Sequence, residues 1–260
     1  MAATIGKTLR LAEFWQEGTP SLLLDATLPG ALGPLPGLES PSGLVERLAP
    51  RAHGLILNPG LAERYADRFT GKLGAAPLIR LDWTNQPRPA DFALPLHSVQ
   101  RVPLASPTDA VQIGATAAVA TLLLGYDEDF EAANIQSIAF MCRESVRVAL
   151  PLLADVALAG PKIEPARRDA AIQLGVSFMV EAGTDGVIIP LPAAPALALL
   201  LDYAPVPLFI RIDAAADLDA GRDALVEALA AGCAGIVLGS RALTDAALDA
   251  AGALVGAAVS

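Results

Sequence analysis

The sequence predicts a single-domain (β/α)8 barrel spanning residues 1–260, and three observations carry that expectation. Eight short apolar runs alternate with helical patterns along the chain, as βαβ units require. The length of 260 residues is close to the ~250 typical of this barrel. Hydrophobic residues make up 53% of the chain and charged residues 18%, which suits parallel strands buried on both faces. Eight such units favour closure into a barrel over an open, doubly wound sheet. No internal repeat or disordered linker divides the chain.

The elements follow in order. Residues 1–20 read as an N-terminal capping segment, with Phe14 and Trp15 on an opening helix covering the barrel bottom. The eight strand-like runs end near Asp25, Asn58, Asp82, Leu124, Ala157, Pro190, Asp213 and Gly239. Residues 28–42, rich in Pro and Gly, form a loop long enough to be a lid or a substrate loop. Ser106-Pro107-Thr108-Asp109 opens one helix, with Pro107 suited to the first turn. Glu164-Pro165-Ala166-Arg167 opens another. Residues 217–231 read as a third, ended by Gly232.

Composition narrows the function. A formal net charge of −10 leaves no electrostatic footprint for nucleic acid, and an anionic substrate needs a local positive pocket against the global field. Cys142 and Cys233 stand far apart without a CxxC or a His-rich tract, so they read as buried small hydrophobes, with no disulfide and no metal site. The longest apolar stretch, residues 186–201, is interrupted by Pro190, Pro192 and Pro195 and is shorter than the ~20 residues of a membrane span. No signal-peptide pattern opens the chain. The expectation is a cytoplasmic protein with no membrane or nucleic-acid partner and no cofactor.

Several motifs in sequence order carry a resemblance. Gly6-Lys7-Thr8-Leu9-Arg10-Leu11, Leu24-Asp25-Ala26-Thr27, Gly33-Pro34-Leu35-Pro36-Gly37-Leu38, Gly114-Ala115-Thr116 and Ala231-Gly232-Cys233-Ala234-Gly235 together resemble the class I aldolases of the DhnA/LsrF type. That family includes archaeal-type fructose-bisphosphate aldolase and 2-amino-3,7-dideoxy-D-threo-hept-6-ulosonate synthase. The resemblance implies a ring-based homo-oligomer, a decamer in many members. It also implies a Schiff-base lysine on the sixth strand, where this chain has Ile188, and a catalytic tyrosine after the fifth, where it has Ala157. The family's strand-1 aspartate is kept as Asp25. Its phosphate-holding Gly-Gly pair after strand 7 corresponds to Ile212-Asp213. Its Gly-Arg after strand 8 corresponds to Gly239-Ser240, with Arg241 one residue later; these three are the anion-binding candidates.

Schiff-base chemistry needs an amine, and the chain has only Lys7, Lys72 and Lys162. Lys7 and Lys72 precede strands and lie toward the wrong end of a barrel. Lys162 follows the fifth strand and is the one lysine placed to lean over the mouth. Strand alternation supplies a second clue, because successive residues face opposite sides. With Leu208, Ile210 and Ile212 facing the helices, Arg211 and Asp213 turn inward with Phe209. Arg80 and Asp82 turn inward likewise, as do Asp155, Ala157 and Asp25. Barrel interiors are normally filled by branched aliphatics, and buried charges persist when paired. Arg80 and Arg211 are the expected partners of the four aspartates. Two readings stay open: an ion network filling the space of the lost lysine and tyrosine, or a redesigned polar site. Clustered carboxylates suit Mg²⁺ or Ca²⁺, but the arginines compete for them.

The expected pocket lies at the C-terminal mouth, where βα loops build barrel sites. It is lined by Asn58, Arg80, Asp82, Asp155, Ile188, Arg211 and Asp213, with Asp25 as the candidate acid/base. Leu123 and Ala157 make its strand 4–6 side the more apolar. Trp83, Thr84 and Asn85 are further candidates to line it, and Tyr126 is the aromatic hydroxyl that could replace the missing tyrosine. His97 reads as a solvated loop residue near the mouth, and His53 as a structural residue at the other end. Two functions follow. One is a diverged, lyase-like aldolase-family enzyme acting on a small oxygenated metabolite without a Schiff base. The other is a non-catalytic homologue that binds a small molecule, a partner or an active paralogue.

Overall fold

The structure, a computed structural model, describes residues 5–70, 74–94 and 96–258. Ten strands occur among the described residues: β1 (Ser21–Asp25), β2 (Gly54–Leu57), β3 (Ala76–Arg80), β4 (Asp82–Thr84), β5 (Arg101–Pro103), β6 (Ala117–Leu124), β7 (Leu152–Leu158), β8 (Gly186–Pro190), β9 (Leu208–Ile212) and β10 (Gly235–Leu238). Eight of them close a parallel barrel in the order β1-β10-β9-β8-β7-β6-β3-β2, as expected from the sequence. The closing pair sets Leu23 of β1 opposite Val237 of β10 and Leu24 opposite Leu238.

The alternation of side chains divides the core in two. Leu22, Leu24, Ile79, Ala154, Val156, Val187, Ile210 and Leu238 face outward under the helices. Leu23, Ile56, Leu78, Val119, Leu153, Ile188, Phe209 and Val237 fill the lower barrel, with Phe14 closing it from below. The inner row of five strands then changes character toward the C-terminal end. Leu23 gives way to Asp25, Leu78 to Arg80, Val119 to Thr121, Leu153 to Asp155 and Phe209 to Arg211. The packed core therefore supports a charged layer at the mouth.

The helices start where local chemistry directs. Ser106 accepts from the Asp109 amide at 3.1 Å and the Asp109 carboxylate accepts from the Ser106 amide at 2.8 Å, a reciprocal cap for helix Pro107–Ile113, which ends at Gly114 with φ 93°. Asp127 caps Glu128–Arg147 by accepting from the Phe130 amide. At the barrel bottom Lys7 Nζ meets Asp185 Oδ2 at 2.6 Å, both side chains largely buried, and His53 Nδ1 accepts from the Leu22 amide. Cys142 and Cys233 are free and buried, and burial pushes each thiol up to about 12.

Several expectations need correction. The third barrel strand stops at Arg80; Asp82 opens β4, which pairs antiparallel with β5 in a two-stranded ribbon outside the barrel. The helix expected over residues 217–231 is two helices, Ala215–Ala220 and Arg222–Ala230, broken at Gly221, where glycine's freedom weakens helix continuation. A 3-10 turn, Pro165–Arg167, precedes the helix Arg168–Ala182. The opening helix ends at Leu11, so Phe14 and Trp15 lie just beyond it. Residues 28–42 are not one open loop: Pro29–Leu32 is helical and a second helix, Pro41–Leu48, starts at Pro41. Lys72 lies outside the described residues.

Phe14 is 2% exposed and plugs the barrel. Phe14→Ala is expected to cost ~3–5 kcal/mol, read as a lower urea midpoint with an unchanged denaturant slope.

Candidate active site

Four charged side chains from four strands meet in the upper barrel. Asp25 Oδ2 accepts from Arg80 Nη2 at 2.7 Å and from Arg211 Nη1 at 3.0 Å. Asp155 Oδ2 accepts from the same two groups, at 2.8 and 2.9 Å. Each guanidinium thus spans both carboxylates, and the square is neutral. Asp25 Oδ1 also accepts from the Thr27 amide at 3.0 Å and the Thr27 hydroxyl at 2.6 Å. Burial alone raises the Asp25 pKa, but the Arg80 and Arg211 charges and the Thr27 hydrogen bonds outweigh it and hold this carboxyl well below the usual range. Burial works against the charge of both arginines as well, and the facing aspartates raise them above their ordinary value.

Asp82 lies beside this square but has its own partners. Its Oδ2 accepts from the Thr121 amide at 2.6 Å and from Arg101 Nε at 2.7 Å, and its Oδ1 from the Thr121 hydroxyl at 3.1 Å. Arg80 Nη1 stands 4.0 Å away and donates instead to the Thr121 hydroxyl at 2.6 Å. Arg80 and Arg211 thus reach all four aspartates, but Asp82 only at the limit of an ion pair; Arg101, brought in by β5, is its close partner. Asp213 pairs with Arg211 Nε through Oδ1 at 2.8 Å and is the one exposed aspartate of the set, at 63% of its side chain.

Above this floor lies a cavity of about 420 Å³. Asp25, Asn58, Arg80, Asp82, Asp155, Arg211 and Asp213 line it, joined by Thr121, Leu123 and Ala157. Leu28 and Ala31 form one rim, Trp83, Thr84 and Gln86 to Arg88 another, and Arg241 a third, whereas Asn85, expected among them, turns its side chain to Ser98 and Gln100 instead. Asn58 donates to the Thr27 carbonyl at 2.9 Å, which ties the β2 end to the β1 end.

Ile188 is not among the lining residues. It is fully buried in the lower barrel, because alternation sets which side a residue faces and not its height. The expected anion-binding residues are also rearranged. The Ser240 hydroxyl donates to the Asp25 carbonyl at 2.7 Å and accepts from the Leu28 amide at 3.2 Å. Asp213 Oδ1 sits so close to Gly239 that a Cβ there would collide with it. A carboxylate thus covers Gly239 on the cavity side, the Gly239 amide is spent on the Ile212 carbonyl, and the Arg241 guanidinium remains at the cavity rim. Tyr126 donates to the Ala159 carbonyl and packs edge-on against Phe130, away from the cavity. Lys162 pairs with Glu128 at 2.5 Å on the surface, and His97 is exposed. Among the described residues no lysine lines the cavity, and no group of His, Cys, Asp and Glu is arranged to hold a metal ion. A guanidinium group already occupies one oxygen of each cavity carboxylate. No helix of the described residues is long and apolar enough to cross a membrane.

Three site residues were missed in the sequence, among them Arg88, which lies in a Pro-rich loop without a pattern. Thr121 has the inward parity of Val119 and could have been found by that rule. Arg101 joins through pairing across the ribbon, which leaves no periodic signal.

The Asp25 arrangement sets the acid response. A carboxyl held low when folded contributes stability that is complete above its ordinary value of 3.8 and is lost as the pH falls through the lower folded value. Thermal stability is expected to stay level down to about pH 5 and to fall below about pH 4, with a shallower acid limb in Asp25→Asn. Breaking a buried pair typically costs ~3–5 kcal/mol. Arg211→Ala should therefore shift the melting temperature far more than Arg64→Ala on the surface; equal shifts would contradict the network.

No family model matches the chain, and no curated protein matches it in sequence. Solved structures do. An archaeal fructose 1,6-bisphosphate aldolase superposes with a TM-score of 0.77 at 21% identity, over 98% of this chain and 99% of its own. A second archaeal aldolase, with its catalytic lysine covalently bound to the carbinolamine intermediate of the substrate, gives 0.75 at 22% identity, over 98% and 100%. The fructose-bisphosphate aldolase of Slackia heliotrinireducens gives 0.72 at 16%, over 98% and 85%. Across nearly its whole length, the chain has the fold of the archaeal fructose-bisphosphate aldolases, the group that its motifs resemble.

Proposed function

We propose that this barrel is a diverged relative of the class I aldolases that takes a small oxygenated metabolite into its mouth without forming an imine. The observation that carries the reading is the state of Asp155. It lines the cavity, its Oδ2 is held by two guanidinium groups, and its buried Oδ1 has no hydrogen-bond partner among the described residues. Buried carboxylate oxygens are rarely left in that state. A ligand hydroxyl that displaces the side chains covering this oxygen supplies the donor it lacks.

The same feature favours turnover by proton transfer over simple binding. Asp25, the aspartate suggested by the resemblance, is a poor base here because both its oxygens already accept two hydrogen bonds. Its role is to hold Arg80 and Arg211. Asp155 is the carboxylate with an oxygen to spare, and Arg211 Nη2 makes no hydrogen bond among the described residues. In a carbon–carbon cleavage of aldol type, Asp155 would take the proton of the ligand's hydroxyl as that oxygen becomes a carbonyl. The electrons of the broken bond would pass into an enolate, stabilised by Arg211. The proton would then return from Asp155 to the enolate carbon.

Two measurements test this. Borohydride treatment with dihydroxyacetone phosphate or fructose bisphosphate should leave the protein mass unchanged, and a stable adduct on Lys162 would restore the imine route. Asp155→Asn should weaken binding of erythritol and glyceraldehyde by about tenfold or more, the scale of a hydrogen bond to a charged group. Unchanged binding in that variant would remove Asp155 from the site.

A further inference from the structure

We infer that Arg88 and Arg241 form an anion clamp at the cavity rim, so that the ligand is a small hydroxylated anion bearing a phosphomonoester or a carboxylate. The inference rests on the proposed site and adds the charge of its ligand.

Both arginines line the cavity, and neither has a carboxylate within ion-pair distance among the described residues. Each is instead fixed by a backbone carbonyl. Arg88 Nε donates to Ala31 at 3.2 Å. Arg241 Nη2 donates to Pro87 at 3.3 Å, which sets the second guanidinium beside the peptide that carries the first. Arg88 also lies between two aromatic rings, 5.4 Å from Trp83 and 5.3 Å from Phe92, and Trp83 is itself anchored to the Gly30 carbonyl at 3.0 Å. Stacking and a carbonyl bond hold a guanidinium in place without neutralising it. Both Nη groups of Arg88 remain free to donate, as do Nε and Nη1 of Arg241.

The charge balance points the same way. The four cavity aspartates, Asp25, Asp82, Asp155 and Asp213, face three arginines, Arg80, Arg101 and Arg211, which leaves one negative charge. Arg88 and Arg241 turn that into one positive charge, in a chain whose net charge is −10. A positive mouth on an acidic protein concentrates anions locally. The carboxylate of Asp213 covers Gly239, so an anion meets the rim between the β4–β5 ribbon and Arg241, while the hydroxyl end reaches the floor.

Calorimetric titration of the full chain with glycerol 3-phosphate, glycerate and glycerol tests the clamp. The expected result is that at least one of the two anions binds about tenfold or more tightly than glycerol. Raising the salt concentration should weaken it. Arg88→Gln and Arg241→Gln should each reduce that preference and leave glycerol unaffected. The tighter of the two anions identifies the head group. Anions that bind no better than glycerol, or as well to the double variant as to the wild type, would overturn the clamp. Loss of hydroxyl recognition in Asp155→Asn separates the failure of the underlying site from the failure of the clamp.

Discussion

The upper half of this barrel depends on one arrangement: two buried aspartates and two arginines, each bonded across the strand ends to both of its opposites. A single charge buried there would be prohibitively costly. Four charges in a closed square are tolerated because each is compensated twice. The square fixes the ends of β1, β3, β7 and β9 relative to one another. It also divides the barrel into an apolar lower part, plugged by Phe14, and a polar mouth. Removal of any corner leaves an unpaired charge, so the arrangement stands or falls as a unit.

In the proposed reading, the same square takes the place of an imine-forming site in an aldolase-like fold. A Schiff-base site needs an amine in the upper barrel. Here that volume belongs to guanidinium groups, which stay protonated and are poor nucleophiles, and the sixth strand contributes only buried Ile188 beneath them. The loops then complete the mouth differently. The β4–β5 ribbon carries Trp83 and Arg88 over the cavity, and its Arg101 reaches back to hold Asp82. The ends of β1 and β10 are tied through Ser240, whose hydroxyl links the Asp25 carbonyl to the Leu28 amide. The result is a pre-organised, charge-balanced floor with cationic groups at its rim.

Much of this was legible in the sequence, for a physical reason. Period-two alternation assigns Asp25, Arg80, Asp155 and Arg211 to the barrel interior once the outward apolar partners, such as Leu208 and Ile210, are identified. The rule says nothing about height, which is why Ile188 was expected in the pocket and lies below it. It also fails where a strand leaves the barrel. Asp82 continues the parity of β3 but opens an antiparallel ribbon, and its partner Arg101 comes from a three-residue strand with no pattern of its own. Arg88 stands in a Pro-rich segment that reads only as loop, and its placement between Trp83 and Phe92 is a tertiary fact. At the β9 and β10 ends, Asp213 sets a carboxylate against Gly239, a contact between two strand ends that the alternation rule does not reveal.

The most direct measurement is a crystal structure of the protein soaked with glycerol 3-phosphate. The expected result is a ligand hydroxyl within hydrogen-bond distance of Asp155 Oδ1, about 2.5–3.0 Å, with the square of Asp25, Arg80, Asp155 and Arg211 unchanged. A ligand bound to Asp25 in place of Arg80 or Arg211, or joined covalently to a lysine, would contradict it.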